Sequence, residues 1–369
     1  MCSSHGNPTS SSPPKRPADP AILARLADAH CHPSDDESFE GALESIASSK
    51  LGTICAMSSS LENQEITTKL WERNKNKILP CYGLHPWFIH SLSLSDSPTV
   101  PTREEHYTTL FPSSTDVSQP SPSLATLLSS LPPPLLLSNF LSTLTNNLEA
   151  HPTALLGEIG LDKAFRIPNP PELASSAKNS DLQTPLAHQI AVAEAQIRVA
   201  IRLERHLSFH SVRAPQDTVR LLERIRGEPD GWGRVHVCLH SFGGSPETAK
   251  QVQKMHPNAF FSFSTIISGR SPRFHELLRA INADRLLVES DFSHTSQLDA
   301  QVWEVFEEIC EAREWSAEEC VEQLETNWRK FLELEPDGMG GRRQTKKQRR
   351  LEKGQAAEEV DEVEESNPK

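Results

Sequence analysis

The chain has 369 residues, enough for one large domain with a full hydrophobic core or for two domains of average size. Hydrophobic residues make up 36% and charged residues 24%, which is ordinary for a soluble globular protein. No apolar run reaches the roughly 18–20 residues that a membrane-spanning helix needs, so we expect no membrane association. The net charge of −13 disfavours a module that binds duplex DNA through a Lys/Arg surface, but it does not exclude a nuclease, because bound metal ions supply positive charge.

The ends of the chain differ in composition from the middle. Residues 1–20 are rich in Ser and Pro and are expected to be disordered, residues 21–335 are expected to form one folded domain, and residues 336–369 a charged disordered tail. The basic run Arg342–Lys353 is either a nuclear localisation signal or a solvated polar segment. The seven cysteines form no CxxC pair, and the N-terminus lacks the apolar stretch of a secretory signal. Both observations predict buried, reduced thiols in a cytoplasmic or nuclear protein.

Short apolar segments bounded by turn or polar residues recur along the predicted domain, as is typical of buried strands in a parallel sheet. They are Leu26–Ala29, Leu51–Met57, Ile78–Tyr82, Ala154–Ile159, His206–Phe209, Val235–Leu239, Ala259–Phe263 and Leu286–Val288. Helical spacing of apolar residues follows the later segments, over Pro185–Arg205, Pro215–Ile225, Glu247–Met255, Pro272–Ile281, Leu298–Arg313 and Ala317–Leu334. Strands that alternate with helices in this way predict an α/β fold, a (β/α)₈ TIM barrel, with an open doubly wound sheet as the second choice.

Two segments do not fit this repeat. Residues 91–148 and 166–184 are rich in Ser, Pro and Thr or Asn, and long loops without structure are uncommon inside compact domains. We expect both to be low-complexity surface insertions that are partly ordered at best.

Side chains with metal-binding chemistry follow most of the predicted strands. They are His30 and His32 after the first strand, His85 after the third, Glu158 after the fourth, His210 after the fifth, His240 after the sixth and Asp291 after the eighth. The C-terminal strand ends of a barrel form one face, so these residues are expected to converge there. Because alternate residues of a strand point to the same side, the H-x-H pair aims both imidazoles into the mouth, as suits one divalent ion.

Each of these residues also has a structural interpretation. H-x-H is weak evidence by itself, Glu158 can be salt-bridged, for example to Arg166, and Asp291 can cap the next helix. Single histidines at strand ends are usually satisfied core residues, but two at successive strand ends, after an H-x-H and a Glu, favour metal ligands. Glu289 lies two residues before Asp291 on the same side of the strand and is a candidate to support a ligand from behind.

The other histidines are interpreted separately. His85, in GLHPW, is a candidate contact for a substrate phosphate. His236 lies inside the sixth strand and is interpreted as structural. His90, His188 and His294 are expected on surface helices or loops.

The sequence resembles the TatD-related hydrolases, from roughly Leu26 to Phe331 apart from the two insertions. The matching strings, in chain order, are DAHCH, YGLHPW, LLGEIGLD, SFHSVRA, VCLHSFGGS, LLVESD and TNWRKF. The resemblance implies a TIM barrel with two divalent ions at its mouth. It implies that His30, His32 and Asp291 bind one ion, that His210 and His240 bind the other, and that Glu158 bridges them.

The resemblance also implies a deoxyribonuclease whose substrate is DNA. In the expected mechanism two cations stabilise the attacking and leaving oxygens of an in-line displacement, and Asp291 accepts a proton from the attacking water. Mixed imidazole and carboxylate ligands suit Zn²⁺, Mn²⁺ or Fe²⁺ better than Mg²⁺, although Mg²⁺ is common in assays of the family. The strand-five motif reads HSVRA where many relatives have His-Ser-Arg, so Arg213 is a phosphate-binding candidate at a shifted position.

Two departures bear on function. The last motif is ESD where ETD is common, a conservative change. The long Ser/Pro insertion resembles that of a Cut9-interacting fungal branch of the family, which implies a subunit of the anaphase-promoting complex as a partner.

Two alternatives to a nuclease remain open. Related barrels hydrolyse amides, lactones or other esters, often with a carboxylated Lys between the metals, whereas this chain has Glu158 at that position. A barrel that acts only as an adaptor would be consistent with the insertions, the charged tail and the acidic net charge, but it has no physical need for a complete ligand set.

Overall fold

The structure is a computed structural model that describes residues 17–112, 122–171, 178–227 and 231–333. The predicted disordered ends lie almost wholly outside these ranges, as does the basic run Arg342–Lys353, so the domain limits remain a prediction. Contacts group the described residues into a unit that ends at Asn327 and a second unit that begins at Trp328. In the second unit the rings of Trp328 and Phe331 stack with centroids 5.7 Å apart.

The described strands are β1 (Ala27–Cys31), β2 (Thr53–Met57), β3 (Ile78–Tyr82), β4 (Leu92–Ser93), β5 (Leu135–Leu136), β6 (Leu155–Asp162), β7 (Leu207–Val212), β8 (Val237–Leu239), β9 (Ala259–Phe263) and β10 (Leu286–Val288). Eight of these described strands form one parallel sheet in the order β1-β2-β3-β6-β7-β8-β9-β10. They coincide with the eight predicted apolar segments. The short β4 and β5 pair separately.

The described helices are α1 (Pro20–Leu23), α2 (Phe39–Ser48), α3 (Leu61–Arg73), α4 (Arg103–Leu110), α5 (Pro122–Leu127), α6 (Leu137–Ala150), α7 (Leu186–Leu203), α8 (Pro215–Arg226), α9 (Pro246–Met255), α10 (Phe274–Ala280), α11 (Leu298–Arg313) and α12 (Ala317–Leu332). Local sequence explains where several begin. Ser38, Ser60 and Ser245 accept hydrogen bonds from the first turns of α2, α3 and α9, and Pro215 starts α8 where its missing N–H costs nothing. None of the helices in the described ranges is long and apolar enough to cross a membrane.

The sheet closes into a barrel where its first and last strands meet. The N–H of Asp291 donates to the carbonyl oxygen of His30, and the N–H of His32 to that of Phe292, both at 2.9 Å. Below them, the buried Asp28 carboxylate accepts from the backbone N–H of Ser290 at 2.9 Å and from its hydroxyl at 2.6 Å. The predicted (β/α)₈ barrel is therefore confirmed, and the open sheet is excluded.

Both faces of the barrel strands are covered, because one side fills the barrel and the other packs against the helices. Every residue of β1, β3 and β9 is buried. The cysteines among the described residues are buried, as the sequence predicted.

The first predicted insertion contains more regular structure than its composition suggests. It includes β4, α4, α5, β5 and most of α6, whose Phe140, Leu144 and Leu148 belong to the main hydrophobic core. The i, i+4 spacing of these three residues is that of a buried helix face, but the surrounding Ser, Thr and Asn obscured it. In the second insertion, Ile167 N–H donates to the Leu182 carbonyl oxygen at 2.9 Å.

His90 and His188 are buried, and their prediction as surface residues was wrong. The ring N–H groups of His90, His106 and His188 donate hydrogen bonds of 2.8–3.0 Å to backbone carbonyl oxygens in and just before the short 3₁₀ turn at Ile89–Ser91. The acceptors are the backbone carbonyl oxygens of Trp87, His90 and Ile89. Such carbonyl groups are costly to bury unpaired, which explains why polar rings lie there. His294 is exposed, as predicted.

Candidate metal centre

The C-terminal ends of the barrel strands bring the six predicted ligands into one cluster, called the Glu158 group below. Its members are His30 and His32 on β1 and its following loop, Glu158 on β6, His210 on β7, His240 after β8 and Asp291 after β10. The side chains of His30, His240 and Asp291 offer ligand atoms that lie within 4.8 Å of one another, and so do those of His30, His32 and Glu158.

Glu158 lies in the centre, and its two carboxylate oxygens face different histidines. Oε2 is 3.5 Å from Nε2 of His30 and 3.5 Å from Nε2 of His32. Oε1 is 2.8 Å from Nε2 of His240 and 2.9 Å from Nδ1 of His210. One carboxylate therefore contacts two pairs of imidazoles, one pair through each oxygen. The rings of His30 and His240, which belong to different pairs, also stack with centroids 3.7 Å apart.

Asp291 lies on the side of the first pair. Its Oδ1 is 3.4 Å from Nε2 of His32 and 4.0 Å from Nε2 of His30. Its backbone is in the left-handed region with φ 51°. The Ser241 hydroxyl, 2.8 Å from Oδ2, and the backbone bond to His30 hold the carboxylate in this position.

The glycines of the GEIG sequence allow this convergence. Gly160 has φ +148° and lies opposite His210 in the β6–β7 register. A Cβ at Gly160 would overlap the carbonyl oxygen of His210, so only glycine lets β7 approach β6 this closely. The close approach carries the His210 ring to Glu158.

Hydrogen bonds to serine hydroxyls orient the imidazoles of His30 and His32 from the side opposite Glu158. Nδ1 of His30 is 2.7 Å from the Ser208 hydroxyl, and Nδ1 of His32 is 3.1 Å from the Ser59 hydroxyl. The opposite nitrogen of each ring then faces Glu158, an arrangement that is usual behind metal-ligating histidines. Sequence reasoning selected neither serine, although Ser208 opens the SFHSVRA string; Ser59 lies outside the quoted strings.

Asp162 holds the His210 ring from the side opposite Glu158. The sequence could have indicated it, because it lies in the LLGEIGLD string. Its Oδ2 is 3.3 Å from Nε2 of His210 and accepts from Trp87 Nε1 at 2.6 Å. Its Oδ1 accepts from the backbone N–H groups of Ala164 at 2.7 Å and Phe165 at 2.9 Å. One carboxylate thus fixes His210, Trp87 and the loop after β6. Burial alone would raise the pKa of Asp162, but these bonds hold it well below its usual range.

The donor set fits divalent cations. His30 Nε2 is fully buried and has no hydrogen-bond partner among the described residues, although it points at Glu158 and Asp291. An unpaired buried nitrogen is costly, and a bound cation would satisfy it. Burial and the neighbouring His240 lower the pKa of His30 to about 3, so this ring is the neutral form that a metal requires.

The charges of the other groups are also those of a cation site. Burial would raise the pKa of Glu158 and Asp291, but the surrounding imidazoles hold both well below their usual range. Burial would lower the pKa of His32 and His210, but their carboxylate partners raise it to about 9 and about 10. These two rings hold protons in the place where a cation would supply the positive charge, so metal binding releases protons here.

His85 contacts the same cluster in a different chemical form. Its Nδ1 accepts the backbone N–H of Trp87 at 3.1 Å, so the neutral ring carries its proton on Nε2, 3.3 Å from Glu158 Oε1. Burial lowers the pKa of His85 to about 4, which keeps the ring neutral. Although His85, Glu158 and His210 are close enough to share an ion, this tautomer makes His85 a hydrogen-bond donor and not a ligand. Its predicted role, contact with a substrate oxygen, needs such a donor.

Glu289 lies behind the cluster. It accepts from the backbone N–H of Ser241 at 2.6 Å, and its Oε1 is 3.9 Å from Nδ1 of His240. Burial raises its pKa to about 7. Through Ser241, it supports both Asp291 and the loop that carries His240.

Arg213 and His236 lie outside the cluster, and the interpretation of Glu158 as a salt-bridge partner of Arg166 is excluded. Arg213 is exposed, has φ 52°, and makes no ion pair with any residue that the structure describes. Among the described residues Glu158 pairs only with histidines and forms no salt bridge with Arg166, whose Nη1 donates to the Phe165 carbonyl oxygen. His236 stacks on His206 with ring centroids 4.8 Å apart.

Comparisons with known proteins agree with this geometry. The family model described as "TatD related DNase" matches residues 27–333. The Schizosaccharomyces pombe "Cut9-interacting protein scn1" is 30% identical over 85% of this chain and 100% of its own length. The Saccharomyces cerevisiae "Uncharacterized deoxyribonuclease YMR262W" is 27% identical over 84% of this chain and 100% of its own length.

The fold is shared with a solved structure of a TatD homolog, YJJV from Escherichia coli. The TM-score is 0.57 at 20% identity, over 84% of this chain and 98% of that one. The family model covers well over half of the chain, and the S. pombe relative is aligned over its whole length. The chain therefore belongs to the TatD related DNase family and is a metal-dependent hydrolase.

Proposed function

We propose that the chain is a deoxyribonuclease that hydrolyses phosphodiester bonds of DNA with two divalent cations. The observation that carries the proposal is the position of Glu158, whose two oxygens each face a different pair of imidazoles. A shared carboxylate between two ligand sets is what a two-cation site requires. The S. cerevisiae relative is also named a deoxyribonuclease.

Each residue of the cluster has a role in this proposal. His30, His32 and Asp291 would hold one cation, His210 and His240 the other, and Glu158 both. Cations held there would stabilise negative charge on phosphoryl oxygens and acidify bound water. Asp291 is ionised and partly exposed, and its Oδ2, which is 2.8 Å from the Ser241 hydroxyl, would accept a proton from the attacking water.

His85 and Arg213 would bind the substrate phosphate. The His85 Nε2–H already points to Glu158 Oε1 at 3.3 Å and would donate to a phosphate oxygen beside it. Arg213 follows β7, the strand of His210, and its exposed guanidinium would reach the flanking backbone of the substrate. The imidazole-rich ligand set favours Zn²⁺ or Mn²⁺ over Mg²⁺.

The test is hydrolysis of single- and double-stranded DNA by the purified chain, with and without a chelator, beside metal analysis. We expect about two metal equivalents per chain and activity that chelation abolishes. The double substitution His30→Ala/His32→Ala should remove both, whereas His294→Ala, the same change at an exposed site, should not. An active double mutant would refute the proposal, and activity on lactones or amides but not on DNA would support the alternative hydrolase.

A second proposal concerns a protein partner. The name of the S. pombe relative supports binding of a Cut9-like protein, a subunit of the anaphase-promoting complex in our sequence-based prediction. We expect a purified Cut9-like protein to form a complex with this chain, measured by size-exclusion chromatography. The His30→Ala/His32→Ala variant should still bind if the partner contacts another surface, and absence of a complex would contradict the proposal.

A further inference from the structure

The mouth of the barrel carries two half-buried aromatic rings that the proposed chemistry does not use. Trp87 and Phe165 stack with ring centroids 5.0 Å apart and planes 14° apart. Trp87 also makes a T-shaped contact with the His85 ring, at a centroid distance of 4.7 Å. This pair of rings is called the aromatic wall below. It lies directly beside His85, the imidazole whose Nε2 is 3.3 Å from Glu158.

The aromatic wall is held in place by the carboxylate that supports the Glu158 group. Asp162 accepts from Trp87 Nε1 at 2.6 Å and from the backbone N–H of Phe165 at 2.9 Å. Phe165 also packs against a separate hydrophobic cluster that includes Tyr107 and Ile167. The rings are therefore fixed relative to His210 before any ligand binds, and a preorganised surface binds without a large ordering cost.

The exposure and charge of this region point to a ligand. Phe140 and Phe209 are fully buried in the core, whereas Trp87 and Phe165 are half-buried and lie beside the cluster. The net charge of −13 disfavours a broad surface of basic residues as the main source of affinity for a polyanion. Stacking of flat bases on aromatic rings supplies affinity that does not depend on charge.

We infer that the aromatic wall is a binding site for a nucleobase of the substrate strand, next to the phosphate bound at the Glu158 group. The inference rests on the proposed function for the identity of the substrate. It adds that the enzyme engages an unstacked base as well as the phosphate.

The test compares a short oligothymidylate with an abasic oligomer of the same length, which has the phosphates but no bases. Binding is measured by fluorescence anisotropy in chelator, and hydrolysis is measured with Mn²⁺. The wild-type chain should prefer the oligothymidylate. Phe165→Ala should lower this preference about tenfold, mainly through Kd and KM, and Phe165→Tyr should retain it. Both Phe165 variants keep the backbone N–H that donates a hydrogen bond to Asp162. Thermal unfolding and metal content check that the fold and the Glu158 group are intact.

Trp87→Phe is a second, independent variant, because it keeps a stacking ring but removes the bond to Asp162. It should retain more of the base preference than Trp87→Ala. A wild-type chain with no preference for bases in either measurement, or a Phe165→Ala variant with the full wild-type preference, would overturn the inference. Base-selective binding without hydrolysis would support the wall and refute the nuclease. An oligouridylate arm distinguishes RNA from DNA as the source of the base.

Discussion

Replacement of Asp162 by Asn tests whether the carboxylate behind His210 prepares that ring for a metal. Asp162 accepts four hydrogen bonds, two from backbone N–H groups and two from the rings of Trp87 and His210. Asn has one acceptor oxygen and one NH₂ group. Whichever way the amide is turned, two of the donors face an NH₂ group. If the amide donates to His210 Nε2, the proton of the neutral ring moves to Nδ1, the atom that faces Glu158, and the ring loses its free lone pair.

The expected magnitude follows from this geometry. Loss of a hydrogen-bonded partner behind a metal-ligating histidine lowers metal affinity by about 10–100-fold, or about 1.4–2.8 kcal/mol. We expect a loss in the upper part of this range, because both orientation and tautomer change. Competition with a chromophoric chelator measures the affinity, and metal analysis gives the stoichiometry.

Asp217→Asn is the matched control for this change. Asp217 forms an ion pair of 3.1 Å with Lys163, the residue that follows Asp162, near the protein surface. Loss of such a pair costs about 0–1 kcal/mol and should leave metal affinity unchanged. A folded Asp162→Asn protein that binds metal as tightly as the Asp217→Asn protein would refute the reasoning.

Three further predictions concern other positions. His85→Ala should raise KM for DNA without loss of metal, since the ring donates a hydrogen bond and does not ligate, and metal loss in that variant would contradict the Nε2–H tautomer. Gly160→Ala should lower the free energy of unfolding by more than about 2 kcal/mol in urea titrations, because its Cβ overlaps the His210 carbonyl oxygen. Gly233→Ala, where a Cβ meets nothing within 4 Å, is the control, and equal midpoints would refute the argument. Burial lowers the pKa of His90 from 6.5 to about 4, so the unfolded chain binds the proton first as the pH falls. This contribution to stability is complete above pH 6.5, and up to about 3 kcal/mol of it is lost between pH 6.5 and 4. Unfolding measured over this range should show the loss, and His90→Gln should reduce it; a flat profile would contradict the sign.

The barrel and the cluster were predictable because each rests on a signal that is local in sequence. Buried parallel strands are short apolar runs, and a barrel places their C-terminal ends on one face, so His30 and Asp291 could be brought together without coordinates. Their roles as ligands remain to be tested. The features that could not be predicted from sequence were those that depend on how particular side chains pack against each other. The core face of α6 was hidden among Ser, Thr and Asn, and the burial of His90 depends on unpaired carbonyl groups of a turn.

The supporting contacts were also out of reach of sequence reasoning. Asp162 and Trp87 are 75 residues apart, and their contact depends on how β6 and the loop after β3 are aligned. No periodicity reports that alignment. The motif string containing Asp162 marked the residue but not which of its neighbours it would hold.

The contact between the first and last barrel strands, β1 and β10, has a consequence for the synthesis of this enzyme. It joins Asp28 to Ser290, which are 262 positions apart in the sequence, and the proposed ligands His32 and Asp291 lie on its two sides. A growing polypeptide on the ribosome has His30 and His32 early but lacks Asp291 until most of the chain has emerged. Unfinished translation products therefore cannot assemble the complete Glu158 group, which forms only when the protein is nearly whole.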